Sequence, residues 1–454
     1  MNRNPAEAKG MKRILRIALL SLAAAGLAGC DTVTGIFSSD DKTVLPGERL
    51  SVMELGAQLE VDPAIADELV LLPDARVNDS WPQPGGNSSN ANGHLAAPGP
   101  LSQVWSVSAG SGSDRVAQLL APPIVADGRI YVLDARTRLG AFDQSSGRKL
   151  WDVDLVPEGE KAGSGRGGGV AYENGRLFAV TGYGTVNGID AASGSIVWTQ
   201  TIGDPFRSAP TASGGRVFAV TSDNQTIALS QETGDVIWRH RGIVESAGIL
   251  AASSPAVAGS TVIVPYSSGE LVALRVENGT PVWTDSLTRT GNITSLSALN
   301  DIAGRPVVDR DRVFAISHSG RMVSIDLRTG ERVWTRDIGG VQTPWPAGDF
   351  IFLVTTAQEV VAISRRDGRI RWITPLQRWR NPEKRTEPVQ WSGPVLVSER
   401  LVLVSSRGEA VMLSAANGEV LGNLSIPAEA LIAPVVANET VYVLTDNARL
   451  TALK

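Results

Sequence analysis

Residues 123–151 read PIVADGRIYVLDARTRLGAFDQSSGRKLW, and the chain repeats that pattern over most of its length. An apolar run is followed by a turn, a second run of β-branched and aromatic residues, a third run, a Gly-terminated turn, and a Trp four residues beyond that Gly. Further copies occupy 169–198, 210–238, 255–283, 306–334 and 345–372. A seventh, 394–422, has Gly422 in the Trp position, and an eighth starts at Pro434 and stops before its Trp strand. Self-similarity at a period of roughly 40–50 residues, with about four short strands per period, predicts an all-β protein: an eight-bladed β-propeller of four-stranded antiparallel blades. The strand that the eighth copy lacks stands ahead of the first, because 101–107 (LSQVWSV) carries a repeat-type Trp105 with no repeat before it. Pairing this N-terminal strand with 450–453 completes the last blade and removes the two edges that an open array would expose.

Each part of the repeat has a local cause. Runs such as Ile130-Tyr131-Val132 and Val217-Phe218-Ala219 suit a pleated, half-buried surface. The third run ends in a turn that starts at Asp143, Asp190 or Asp326 and finishes at Gly147, Gly194 or Gly330. An Asx side chain can accept bonds from the backbone just ahead of it, and Gly takes a positive φ without strain. Ser230, Arg275 and Ser364 replace the Asp in three other copies. The repeated Trp then falls on the outer strand, where a large flat ring suits packing between blades rather than ligand stacking.

With 454 residues, 43% of them hydrophobic, the chain can bury a large core, and a ring of blades keeps growing because each blade packs only on its neighbours. A net charge of −5 gives no global basis for nucleic-acid binding. The single cysteine, Cys30, excludes internal disulfides, cysteine-built zinc sites and c-type haem attachment. It ends the run MKRILRIALLSLAAAGLAGC, in which Lys12, Arg13 and Arg16 form a basic region and 17–27 an apolar stretch too short for a stop-transfer helix. The ending Leu27-Ala28-Gly29-Cys30 resembles the bacterial lipobox, with Met11 the better start. Residues 1–29 are therefore expected to be a lipoprotein signal peptide and Cys30 the lipidated residue, whose three chains exceed the two signals that stable anchoring needs.

Residues 30–98 read as a lipidated tether ahead of a propeller at 99–454. The stretch 78–100 (NDSWPQPGGNSSNANGHLAAPGP) is dense in Gly, Pro, Asn and Ser, and Trp81 is expected to pin the segment to the propeller wall. His94, His240 and His318 share no metal-ligand spacing. The run GSGRGGG at 163–169 lacks the Gly-Lys-Ser/Thr ending of a phosphate loop and is assigned to a crossing between blades.

The ending Asp-x-x-Ser/Thr-Gly-x-x-x-Trp, seen at 143–151, 190–198 and 326–334, resembles the PQQ-type propeller repeats, and the resemblance covers 99–454. That family has two branches, the quinoprotein dehydrogenases and the BamB lipoproteins of the outer-membrane β-barrel assembly machinery. The lipobox and the eight repeats look like the lipoprotein branch. The enzyme branch has, by resemblance, an adjacent-cysteine pair and acidic calcium ligands, and neither has a counterpart here. The resemblance thus implies a non-enzymatic scaffold without cofactor or metal, at the periplasmic face of the outer membrane. It also implies docking to the POTRA domains of a BamA-like barrel subunit and aid to unfolded outer-membrane proteins. Asp31, next to the lipidated cysteine, is a residue that favours inner-membrane retention in enteric bacteria. The alternative is a periplasmic PQQ-binding quinoprotein or another ligand-binding propeller that uses its central funnel.

Two long connections carry the family's docking patch by resemblance, 239–254 (RHRGIVESAGILAASS) and 284–305 (TDSLTRTGNITSLSALNDIAGR). Ile249 and Leu250 match its apolar contact, without the family's Arg beside them. Asp301, five residues before the repeat Pro306, matches an acidic position, and Ala303 replaces the second. Seven arginines and one lysine between 365 and 385, interleaved with Trp372 and Trp379, make a further basic stretch that reads best as a solvated loop.

Overall fold

The computed structural model describes residues 59–245, 253–288 and 300–454, so the signal peptide, Cys30 and the first part of the tether lie outside the described residues. The repeats form the predicted ring of eight four-stranded antiparallel sheets. Blades 1 to 7 span 124–154, 168–201, 211–241, 256–286, 307–336, 345–375 and 391–425, each a meander that pairs its strands in chain order. The first strands of successive blades approach one another, which places them around a central channel. Blade 8 takes three strands from 435–453 and its fourth from Gln103–Ser108, with Trp105 opposite Ala452 and Val107 opposite Leu450. The closure expected from the two incomplete ends is therefore the observed one. A small hairpin of Trp379–Asn381 and Thr386–Pro388 stands between blades 6 and 7, unannounced by the repeat.

The repeated Trp does what its position suggests. The indole nitrogens of Trp151, Trp198, Trp238, Trp283, Trp334 and Trp372 donate to the carbonyls of Ala191, Gln231, Val276, Leu327, Arg365 and Ala415, each in the next blade. Each ring covers the turn glycine of that blade. At Gly234, for example, φ is +79° and an added Cβ would lie 2.5 Å from the Trp198 ring, so only Gly satisfies both backbone and packing. Within its own blade the Trp meets an aromatic of the second strand, as in Phe218–Trp238 and Phe352–Trp372 at 5.9 and 6.0 Å between centroids, except in blade 4, whose second strand (TVIVP) has none. Trp105 fills the same role for blade 8, resting on Tyr442 and on Gly147 of blade 1. Buried aromatic pairs of this kind add about 0.5–1.5 kcal/mol each beyond their area. The ring is thus stitched at every joint except 7–8, where Gly422 stands in the Trp place.

Residues 78–95, read from their composition as part of a tether, lie inside the ring. They make one circuit of the channel and meet the first strands in order. Asn78 bonds Val436 and Asn438 of blade 8, and Trp81 pairs with Val125 of blade 1. Pro82 and Gln83 accept from Tyr172 of blade 2 and Ala212 of blade 3. The Ser88 and Ser89 carbonyls accept from Val257 of blade 4 and Val308 of blade 5. Gly93 accepts from the Trp345 indole of blade 6, and Leu95 exchanges bonds with Leu396 and Ser398 of blade 7. Trp81 is 3% exposed and stacks on Trp345 with centroids 6.3 Å apart. A chain bent this tightly needs small residues and side-chain amides for its own polar groups, which is the composition that also makes a linker. The expected wall contact is made by the preceding residues, where the Asp62 amide donates to Ile370 and Glu68 accepts from Arg371, both on the outer strand of blade 6.

Candidate functional site

The circuit at 78–95 closes the channel at the end where first strands turn into second strands. The other end, where connections from one blade enter the first strand of the next, stays open over a cavity of about 720 Å³. Trp81, Asn90 and Asn92 form its floor, and Leu119, Trp391 and Ile432 contribute apolar wall. Gln118, Gln342, Thr343, Gln358 and Gln390 supply uncharged polar groups. Two carboxylates line it, both engaged: Asp114 by Arg136, and Asp446 by the Ser113 hydroxyl.

The described parts of the two connections with docking candidates, 239–245 and 253–254 in the first and 284–288 and 300–305 in the second, belong to this open end. Ile249 and Leu250 lie outside the described residues. Asp301 is described, and it is not a rim carboxylate. It is 1% exposed, and its Oδ1 accepts from the Arg207 guanidinium at 3.2 Å, with the Arg207 side chain 4% exposed. Its backbone carbonyl accepts from the His318 amide. Arg207 lies between blades 2 and 3 and Asp301 between blades 4 and 5, so the pair ties two connections together across the open end. Ile302 and Ala303 are buried as well, which makes 301–303 the root of its connection. The role open to Asp301 is to position that connection rather than to touch a partner. Exposed apolar surface in the first connection comes instead from Ile243 and Val244, 59% and 56% accessible. The sequence reading passed over them because two apolar residues in a loop carry no periodic signal.

The other sequence candidates separate. The stretch 365–385 is not one basic face: Arg365 binds Asp309 of blade 5 and covers the Phe314 ring, Arg369 binds Asp367, and Arg378 donates to the Ala357 carbonyl. Arg380 pairs with Glu429. His94 bonds the Pro73 carbonyl and the Glu399 amide, a structural role. Among the described residues no group of three or more His, Cys, Asp or Glu is placed to hold a metal ion.

Comparison with known proteins now places the fold. The family model described as "Outer membrane protein assembly factor BamB" matches residues 99–164, 135–374 and 376–454. The chain belongs to the BamB family. A curated relative of that name from Moranella endobia is 25% identical over 358 residues, covering 77% of this chain and 89% of the relative. Among solved structures, BamB from Moraxella catarrhalis superposes with a TM-score of 0.64 at 18% identity, covering 78% of this chain and 99% of that one. The quinohemoprotein alcohol dehydrogenase from Comamonas testosteroni superposes with a TM-score of 0.62 at 15% identity, covering 81% and 77%. At those identities the structural matches speak for the propeller alone. The family assignment rests on the sequence, and it makes this chain an outer-membrane protein assembly factor.

Proposed function

We propose that this chain is a non-enzymatic scaffold, anchored through lipid on Cys30 to the periplasmic face of the outer membrane, that docks the POTRA domains of a BamA-like barrel subunit. The docking surface is the open end of the ring, formed by the connections at 239–254 and 284–305. Ile249 and Leu250 supply apolar contact together with Ile243 and Val244 in the first connection, and the second connection is held at its root by Asp301. The observation that carries the reading is the buried Arg207–Asp301 pair, because a charge pair taken out of water fixes the root of the 284–305 connection against the connection between blades 2 and 3 at the same face. A fixed, partly apolar face presents a partner with a surface whose ordering entropy is already lost. Tethering by lipid raises the local concentration of partner and client at one site.

Unfolded outer-membrane proteins would meet the outer strands. Val197, Ile237, Val282, Val333 and Leu421, each the residue before the repeat Trp or its replacement, sit at a one-residue bulge and are 41–54% exposed there. Such edges can receive an extended segment by strand addition.

Affinity capture of the barrel subunit tests docking. Ile243→Asp with Leu250→Asp should reduce capture at least tenfold with an unchanged melt, and unchanged capture places the surface elsewhere. Cys30→Ser should release the protein from membranes, and fatty-acid labelling of that variant would refute the anchor. The rival reading, a quinoprotein, is checked by incubation with PQQ and calcium and a search for bound chromophore.

A further inference from the structure

The open cavity carries hydrogen-bond donors in excess. Arg305, two residues before the first strand of blade 5, lines it, and among the described residues no carboxylate is paired with it. Among the described residues its hydrogen bond is from Nη1 to the Thr343 hydroxyl at 3.5 Å, and its Nε–H is buried with no acceptor there. Burial alone pulls the guanidinium down to about 10, so it still carries its charge at neutral pH. The Trp81 indole nitrogen, a donor only, is likewise buried and without a partner, as is Nδ1 of His318. Both residues line the same cavity. The His318 nitrogen donates or accepts according to its tautomer, so two unpaired donors, Arg305 and Trp81, stand among the described residues against one unpaired acceptor there, Oε1 of Gln358. A buried donor left without an acceptor is costly, and a guanidinium without a counter-charge more so.

We propose that this cavity is a binding site for a monocarboxylate with an apolar body, its carboxylate held by Arg305. The planar guanidinium matches a carboxylate in a two-bond fork. Trp391, Leu119 and Ile432 match the apolar body. One unpaired cation facing a wall that also contains Asp114 and Asp446 favours a single negative charge over the two of a phosphate monoester. The cavity volume, about 720 Å³, falls in the range of small-molecule sites, and the mouth opens on the face proposed for docking. The carboxylate can come from a free small acid or from the C-terminus of a polypeptide.

The test uses calorimetric titration of the full-length protein with N-acetylphenylalanine, with its amide, and with a pentapeptide ending in phenylalanine as the free acid and as the amide. The free acid should bind with saturation and the amide at least tenfold more weakly. Arg305→Gln should lose at least tenfold for the acid and little for the amide, and Arg305→Lys should retain part of the affinity. If the pentapeptide acid binds as well as the single residue, the source is a chain terminus; if only the single residue binds, it is a free acid. Equal binding of acid and amide by the unaltered protein, or no saturable binding of either acid, overturns the proposal whether or not the variants fold.

Discussion

Asp301→Ala should destabilise the propeller although the residue lies in a connection outside the blades. The substitution leaves the Arg207 guanidinium, 4% exposed, without the carboxylate 3.2 Å away. At an effective dielectric of about 20, two unit charges at that separation attract by about 5 kcal/mol. Desolvation of both groups offsets much of this when the pair forms, but not when one partner is removed, so the single substitution is expected to cost about 3–5 kcal/mol. Replacing both, as Arg207→Met with Asp301→Leu, leaves no uncompensated Arg207 charge and should cost less than either single substitution. Urea unfolding followed by tryptophan emission of the native protein, Arg207→Met, Asp301→Leu and the double variant gives the four midpoints of the cycle, and the expected coupling is at least about 3 kcal/mol. Single losses that add to the double loss within about 0.5 kcal/mol would show that the pair does not brace the connections. The same variants separate bracing from contact: Asp301→Ala should weaken capture of the barrel subunit together with stability, whereas Leu250→Asp should weaken capture alone.

Deleting 450–454 removes the strand that joins Gln103–Ser108 to blade 8, so the truncated protein should aggregate or melt far below the full-length one; an unchanged melt would disprove closure. Gly234→Ala forces a side chain into a positive-φ turn and onto the Trp198 ring, with an expected loss of about 2–4 kcal/mol in urea unfolding. The Asp143 carboxyl is held down at about 2, chiefly by the hydroxyls of Ser145 and Ser146. Its folded value is depressed, so its contribution is present above the ordinary value of 3.8 and is lost as pH falls toward 2. The stability difference between the native protein and Asp143→Asn, read from urea midpoints, should therefore shrink between pH 4 and pH 2; a difference independent of pH would refute the assignment.

What the sequence determined by itself was everything written locally and then repeated. The strand runs, the Asx-to-Gly turn and the Trp four residues later are short-range patterns, and their recurrence amplifies a signal that one copy would not carry. Ring closure was legible for the same reason, since Trp105 without a repeat and a repeat without its Trp define each other. The contents of the channel were not legible. Asn78–Leu95 has the Gly, Pro, Asn and Ser of a linker, and nothing local distinguishes a solvated chain from one whose amides are satisfied by eight first strands. Those strands converge only after the ring has closed. Asp301 was visible as a candidate, yet its burial depends on Arg207, 94 residues away in sequence, which the fold alone brings within 3.2 Å. The arginines of 365–385 form a run in sequence and divide in space, because side chains alternate across a strand: Arg365 and Arg380 reach Asp309 and Glu429, while Arg366 and Arg369 turn to Asp367 beside them. Arg305 looked like an ordinary loop residue, and only the closed floor of Trp81 turned the space beside it into a cavity.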